Sequence, residues 1–261
     1  MDARMLLAIA EAVVDDCEQV FLAGLGTAER VSKGAHDFAT TADLKIEFML
    51  RQQLTALTGI PVYGEEGGGS LDDPAVWVVD PIDGTSNYAA GNPMCAILVS
   101  LLYEGEPIVA LCSMPTFGKR LTAYAGSPLL LNGQPQPPIA EPDKDVAQIG
   151  FGSLIASKQH GFHSKLRHEL LGILADDYTR LRVTGSVGID LAFTALGIFA
   201  ATVTFSPFPW DNAAGVLLVR AAGGEATDLE GGQWFIGSSG VVAGTPATHQ
   251  EILGTINQIM D

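Results

Sequence analysis

The chain has 261 residues, of which 47% are apolar, and a formal net charge of −16. This composition predicts a folded globular protein, because disordered chains combine low hydrophobicity with high charge. The acidic balance excludes a broad basic footprint for nucleic acid. It leaves two explanations open: carboxylates that only solvate the surface, or carboxylates that are neutralised by bound cations.

The N-terminal part of the sequence has two predicted helices. Apolar residues recur at helical spacing up to Gly24, which predicts a first helix. A polar loop then leads to Thr41, the expected cap of a second helix that ends at Gly59. Acidic residues interrupt the first apolar run, so we expect no secretory signal and no membrane partner.

Strand-like runs follow the second helix, including a predicted hairpin whose turn contains Gly105. A segment rich in Pro and Gly, from about 120 to 146, separates them from alternating strands and helices. This alternation predicts layered helices and sheets, with an N-terminal half, 1–140, and a C-terminal half, 141–261. The cysteines lie in apolar stretches, typical of buried thiols in a reducing compartment, and predict a cytoplasmic protein: Cys17, Cys95 and Cys112.

The segment 77–88, WVVDPIDGTSNY, carries the strongest chemical signal. An apolar strand delivers Asp80 to its end, and Asp83 follows three residues later, so that both carboxylates can meet a hard cation. The turn between them frees the carbonyl oxygen of Ile82. The amides of Gly84 and Thr85, at a predicted helix start, favour a bound phosphate. An isolated pair of this kind is also compatible with a simple turn.

Together with YGEEG before it and PWDNAAG after it, this segment resembles the inositol monophosphatase family. The resemblance extends from KGAHDFATTAD to the last helices. It implies an αβαβα five-layer sandwich of mixed α and β structure, and hydrolysis of a phosphate monoester by a metal-activated water. It also implies two or three Mg²⁺ ions, inhibition by lithium, and a homodimer.

The resemblance assigns individual residues. It implies metal binding by five positions: Glu65, Asp80, the Ile82 carbonyl, Asp83 and Asp211. Catalytic roles fall on Thr85 and Asp43, which would orient the water, and on Glu65. Lys33 would lie near the phosphate, with Gly84 and Thr85 as phosphate-binding positions. Glu66 is expected to support the site rather than to bind metal, because neighbouring residues of an extended segment point in opposite directions.

The substrate side departs from the family pattern. Many members have a glutamate seven residues before the PWD aspartate, where this chain has Thr204. We therefore expect weaker preference for inositol phosphate, and an apolar wall of Phe205, Phe208 and Val187 that fits an aromatic, nucleotide or less hydroxylated leaving group. Ser186 and Asp190 are further candidate substrate contacts, although Asp190 is equally compatible with a helix-borne structural acid.

These departures leave several small phosphorylated metabolites open as substrates. They are an inositol monophosphate, histidinol phosphate, a sugar bisphosphate, 3'-phosphoadenosine phosphate and NADP. An alternative of another class is a catalytically silent scaffold or regulatory protein on the same fold. Retention of every expected metal ligand favours the enzyme.

Overall fold

The computed structural model describes residues 1–34, 37–152, 164–178 and 180–260. Its helices are α1 (Ala3–Gly24), α2 (Thr41–Thr58), α3 (Thr85–Ala89), α4 (Ser164–Asp177), α5 (Val187–Ala195), α6 (Pro209–Ala221) and α7 (Pro246–Met260). Its strands are β1 (Arg30–Gly34), β2 (Asp37–Thr40), β3 (Val62–Gly64), β4 (Ala75–Asp83), β5 (Ala96–Tyr103), β6 (Glu106–Met114), β7 (Lys119–Tyr124), β8 (Leu130–Leu131), β9 (Gln134–Pro135), β10 (Ile149–Phe151), β11 (Leu181–Arg182), β12 (Ala201–Thr204), β13 (Glu225–Thr227) and β14 (Val241–Gly244).

Five layers follow one another through the molecule. Helices α1 and α2 cover one face of a seven-stranded sheet, in which the strands run in chain order from β3 to β9. Helices α5 and α6 fill the space between that sheet and a five-stranded sheet of order β11-β10-β12-β14-β13. Helices α4 and α7 cover the outer face of the second sheet. The αβαβα sandwich predicted from the sequence is confirmed.

Strand β4 shows why its sequence is apolar without alternation. Val76 and Val78 pack toward α5 and α6, whereas Trp77 and Val79 pack toward α1 and α2. Both faces of the strand are therefore buried, and every position is better occupied by an apolar side chain. This interior strand, next to the edge strand β3, carries the two aspartates of the candidate site to its carboxyl end.

The start of α2 differs by one residue from the prediction. Thr40, not Thr41, is the N-cap: its hydroxyl accepts the Ala42 N–H at 3.2 Å, and the Asp43 carboxylate accepts the Thr40 N–H at 2.8 Å. This reciprocal capping box fixes both side chains. The predicted helix ends at Gly24 and Gly59 are confirmed.

The structure also bears on three other predictions: a hairpin, a loop and the division of the chain into halves. The hairpin between β5 and β6 is confirmed, with its turn at Glu104 and Gly105. The polar segment before α2, predicted as a loop, instead contains the antiparallel pair β1–β2. The division into halves 1–140 and 141–261 stays a prediction: the two sheets lie on either side of it, yet α5 and α6 contact both.

The described helices include none that is long and apolar enough to span a bilayer.

Candidate active site

A bulge in β4 brings Asp80 and Asp83 to the same face of the sheet. Asp80 pairs with Leu98 and Asp83 with Ala96, so three steps along β4 match two steps along β5. In a regular strand, residues three apart point to opposite faces, and the extra residue cancels that reversal. Both aspartates are consequently buried on the side that faces α5 and α6.

Two other segments bring carboxylates to this point. Strand β3 runs parallel to β4, and the N–H of the next residue, Glu65, donates to the Val79 carbonyl at 3.3 Å, so that Glu65 lies beside Asp80. Asp211 lies in the first turn of α6. One carboxylate oxygen from each of Asp80, Asp83 and Asp211 lies within 4.8 Å of the other two. The structure therefore brings these three acids together, and metal binding by them and by Glu65 stays a prediction.

Burial raises the pKa of each carboxyl in this cluster. Burial is the main cause for Asp80, and the negative charges of Glu65, Asp83 and Asp211 raise its pKa further. The pKa of Asp211 is also raised, first by burial and then by the negative charge of Asp83. For Asp83, burial raises the pKa to about 6 even though donors from α5 lower it. The acids thus repel one another in a poorly solvated space, and a bound cation would relieve this repulsion.

The donor set fits a hard divalent cation. All of the converging side-chain atoms are carboxylate oxygens, the ligands that Mg²⁺ and Ca²⁺ prefer. Ile82 adds a carbonyl oxygen at the bulge, where the Thr85 hydroxyl donates to it at 3.1 Å. A resident cation is therefore compatible with the residues present, as the fold family implies.

Thr85 and Asp43 lie next to this cluster and contact each other. The Thr85 hydroxyl is 3.3 Å from Asp43 Oδ1, while Asp43 Oδ2 accepts both the Thr40 N–H and the Thr40 hydroxyl, the latter at 2.5 Å. Burial raises the pKa of Asp43, whereas these hydrogen bonds lower it. Because Thr40 occupies one oxygen of Asp43, the other oxygen is directed to Thr85. The predicted pair is brought together, and Thr40 supports it.

Lys33 lies between the two glutamates of the YGEEG turn. Its Nζ is 3.1 Å from Glu65 Oε1 and 2.6 Å from Glu66 Oε1. Burial lowers the pKa of Lys33, but the bonds to Glu66 and Glu65 outweigh that effect and raise it. Burial raises the pKa of Glu66 to about 7. The ammonium group therefore offsets part of the negative charge at the edge of the cluster, near the position that the sequence predicted.

Ser186 and Asp190 have internal partners. The Ser186 hydroxyl and the Gly188 N–H both donate to Asp83 Oδ2, the second at 2.7 Å, so Asp83 caps the start of α5. Asp190 is buried and accepts the Thr184 hydroxyl at 2.7 Å. These contacts favour supporting roles; direct binding of substrate by either residue stays a prediction.

Gly84 occupies a position that other residues would strain. Its φ of 84° is left-handed, and an added Cβ would lie 2.9 Å from the Met94 carbonyl oxygen. This conformation turns the chain from β4 directly into α3, which begins at Thr85. Phosphate binding by the amides of Gly84 and Thr85 stays a prediction.

Thr204 is fully buried and hydrogen-bonded within the protein. Its hydroxyl donates to Asn212 Oδ1 at 2.9 Å and accepts the Val241 N–H at 3.0 Å. The predicted apolar wall needs a correction at Phe205, which is buried between Phe151 and the Arg167 guanidinium. Of the three predicted wall residues, Phe208 is exposed and Val187 is half-buried.

The sequence prediction missed two side chains of α2 that support the site. Glu47 accepts the backbone N–H groups of Glu66 and Gly67, each at 2.7 Å, and Arg51 donates to Glu47 at 2.9 Å. The signal that could have revealed them is their spacing from Asp43, four and eight residues, which places all three on one face of the helix.

Comparison with known proteins agrees with this geometry. The model of the inositol monophosphatase family matches residues 3–261. A relative from Mycobacterium tuberculosis, named "Probable inositol 1-monophosphatase ImpA", is 45% identical over 96% of this chain and 93% of its own length. The Escherichia coli protein named Nus factor SuhB is 30% identical over 87% of this chain and 85% of its own length.

A solved structure shows the same fold. The extragenic suppressor protein SuhB from Bartonella henselae superimposes with a TM-score of 0.87 at 24% identity, covering 97% of this chain and 98% of that one. Fold and site together define a metal-dependent phosphatase. The chain belongs to the inositol monophosphatase family.

Proposed function

We propose that the chain hydrolyses a polyol monophosphate of the inositol 1-phosphate type with Mg²⁺ as its cofactor. The observation that carries the proposal is the convergence of the buried Asp80 and Asp83 with the half-buried Asp211 beside the Thr85–Asp43 pair. The relative of 45% identity, whose name gives inositol 1-monophosphatase activity, supports this substrate class. The all-oxygen donor set supports magnesium.

The proposed metal ligands are Glu65, Asp80, the Ile82 carbonyl, Asp83 and Asp211, and two or three cations would share them. When bound, these cations supply Lewis acidity that activates water and offsets charge on the phosphoryl group. Asp80 and Asp83 would hold the cations from a buried position, with little competition from bulk water. Lys33 and the amides of Gly84 and Thr85 are proposed to contact the phosphoryl oxygens.

Thr85 and Asp43 are proposed to orient the attacking water and accept its proton. Thr85 has one hydroxyl hydrogen and two nearby acceptors, Asp43 Oδ1 and the Ile82 carbonyl. When that hydrogen points to Asp43, an oxygen lone pair of Thr85 is free to accept a hydrogen bond from water. The proton then moves through the hydroxyl to Asp43, whose raised pKa suits an acceptor.

A panel of substrates tests the leaving-group preference. We expect a higher kcat/KM for inositol 1-phosphate than for histidinol phosphate, a sugar bisphosphate, 3'-phosphoadenosine phosphate or NADP. Thr204 is uncharged, which reduces discrimination between polyols and less hydroxylated leaving groups by about 1–3 kcal/mol relative to a carboxylate acceptor. A nucleotide substrate that exceeded inositol 1-phosphate would overturn the proposed class.

A scaffold or regulatory role is the second candidate. It is supported by the relative named Nus factor SuhB, which is 30% identical to this chain. The enzyme is favoured, because the relative named inositol 1-monophosphatase is more similar, and because Asp80, Asp83 and Asp211 converge in space.

Phosphate release from inositol 1-phosphate, with and without Mg²⁺, distinguishes the two candidates. Asp211→Asn is the sharpest variant, because Asp83 also caps α5 and its loss would disturb that helix. Asp16→Asn, at an exposed position of α1, removes an equal charge as the control. We expect magnesium-dependent turnover in the native chain and the control, and a loss in Asp211→Asn. Equal, metal-independent signals from all three would favour the scaffold.

Two further expectations rest on the family resemblance: lithium should inhibit phosphate release, and the protein should elute as a homodimer in size-exclusion chromatography. A cytoplasmic location is proposed from the cysteines. The cysteines of the described chain are free and buried, which agrees with their predicted role as small apolar side chains: Cys17, Cys95 and Cys112.

A further inference from the structure

The turn that carries Glu65 is held from behind by a buried carboxylate. Glu47 Oε2 accepts the Glu66 N–H at 2.7 Å, and Glu47 Oε1 accepts the Gly67 N–H at the same distance. Glu47 is 3% exposed, so these bonds form with little competition from water. Two charge-assisted hydrogen bonds therefore fix consecutive peptide groups immediately after Glu65.

Arg51 completes this support. Its guanidinium donates to Glu47 Oε1 at 2.9 Å, to the Val62 carbonyl at 2.6 Å and to the Gly68 carbonyl at 2.8 Å. One planar group thus binds the chain before the turn, the chain after it, and the carboxylate behind it. Because Arg51 also neutralises Glu47, that carboxylate can remain buried beside an acidic cluster.

The glycines of the YGEEG turn allow this close approach. A Cβ on Gly64 would lie 2.5 Å from Glu47 Cδ, and one on Gly67 would lie 2.7 Å from Glu47 Oε1. Either contact is too short for a side chain, so the turn can rest on the carboxylate only with glycine at both positions. The glycines on either side of Glu65 and Glu66 therefore leave the space that the Glu47 carboxylate occupies.

The helix face that presents Glu47 also presents Asp43. Asp43 contacts Thr85, and Glu47, one helical turn later, contacts the Glu65 turn. Helix α2 consequently sets the position of the proton acceptor and that of a metal ligand from a single rigid element.

We infer that Glu47 is a positioning residue that holds the Glu65 turn in the conformation that binds the metal. The inference rests on the proposed metal-dependent function. Glu47 acts through the two backbone N–H groups from which it accepts hydrogen bonds. Loss of such outer support typically weakens metal binding by about tenfold to a hundredfold.

Glu47→Gln tests this role with little change in volume. The two N–H groups are directed at different oxygens of Glu47, and glutamine replaces one of those oxygens with an NH₂ group, so one N–H would face a donor instead of an acceptor. Arg51→Lys is the second variant, since lysine keeps the charge but cannot reproduce the planar contacts to two carbonyls. Glu230→Gln, at an exposed position, is the charge-matched control.

The measurement is Mn²⁺ binding, followed by electron paramagnetic resonance of the free ion, with folding checked by near-UV circular dichroism. We expect folded Glu47→Gln and Arg51→Lys to bind Mn²⁺ about tenfold to a hundredfold more weakly than the native chain. Phosphate release should require correspondingly more Mg²⁺, with kcat recovered at saturation. The control should be unchanged.

Native affinity in folded Glu47→Gln would overturn the inference and leave the proposed function intact. An equal loss in Glu230→Gln would also overturn it, because net charge would then explain the effect. If Glu47→Gln does not fold, native affinity in Arg51→Lys overturns it. Failure of the native chain itself to bind Mn²⁺ would instead refute the proposed function, and this inference would fall with it.

Discussion

Replacing Thr85 with valine removes one hydroxyl from the site and keeps the side-chain volume. That hydroxyl lies 3.3 Å from Asp43 Oδ1 and 3.1 Å from the Ile82 carbonyl, and it contributes no charge to the carboxylate cluster proposed to bind metal. We therefore expect a loss in turnover with little change in metal affinity. This separation is what distinguishes proton handling from metal binding.

The magnitude follows from the proposed role. Positioned proton transfer contributes about 10² to 10⁴ in rate, and we expect the lower end because the bond to Asp43 is long: a loss of about a hundredfold in kcat, or roughly 2.7 kcal/mol. Asp43→Asn should give a similar loss. Its amide nitrogen would donate to the Thr85 oxygen and occupy the lone pair that the water requires.

Steady-state phosphate release from inositol 1-phosphate at saturating Mg²⁺ measures kcat, and Mn²⁺ titration measures metal affinity. Thr85→Ser should retain most activity, and Thr55→Val, at an exposed position of α2, should behave as the native chain. A native kcat in Thr85→Val would refute the reasoning. A parallel loss of Mn²⁺ affinity would also refute it, since the hydroxyl would then act through the metal ligands.

Three other predictions concern pH, stability and specificity. Since the pKa of Asp83 is raised to about 6, protons compete with cations below that value, and Mn²⁺ affinity should fall as the pH is lowered from 7 to 5; a pH-independent affinity would contradict this. Glu141 accepts hydrogen bonds from the start of α7. Burial raises its pKa, but these hydrogen bonds lower it by more, so the pKa lies below its ordinary value. Its stabilising effect is thus present above the ordinary pKa of 4.5 and lost as the pH falls through the lowered value. Glu141→Gln should lower Tm by about 2 °C at pH 7, a difference that calorimetry at low pH should no longer detect. Because Thr204 is fully buried and its hydroxyl is bonded to Asn212 and to the Val241 N–H, Thr204→Glu should lower Tm without raising kcat/KM for inositol 1-phosphate relative to NADP; a relative gain of about tenfold would show that this position reaches the substrate.

The parts of the site that the sequence predicted are those whose chemistry is local. Asp80 and Asp83 are three residues apart along the chain, and an apolar strand before a turn is sufficient to place them near each other. The reason for their shared face could not be predicted, because the bulge depends on pairing with β5. Asp211 and Glu65 were placed only by resemblance, since no local rule brings α6 to the end of β3.

Burial and hydrogen bonding account for the remaining differences. Thr204 was expected to face substrate, yet its hydroxyl pairs with Asn212 and a neighbouring strand, contacts between segments that one sequence does not reveal. Glu47 was missed because a glutamate within a helix is usually solvated. Its importance becomes visible only when the YGEEG turn folds onto it.

Asp83 has two roles in the structure. It is a candidate cation ligand, and it accepts a backbone N–H at the start of α5. A cation bound by this carboxylate would compete for its oxygen lone pairs with the N–H groups of α5, a helix that lies between both sheets. A substitution at Asp83 would therefore disturb both the candidate metal site at the bulge and the packing of α5 between the two sheets.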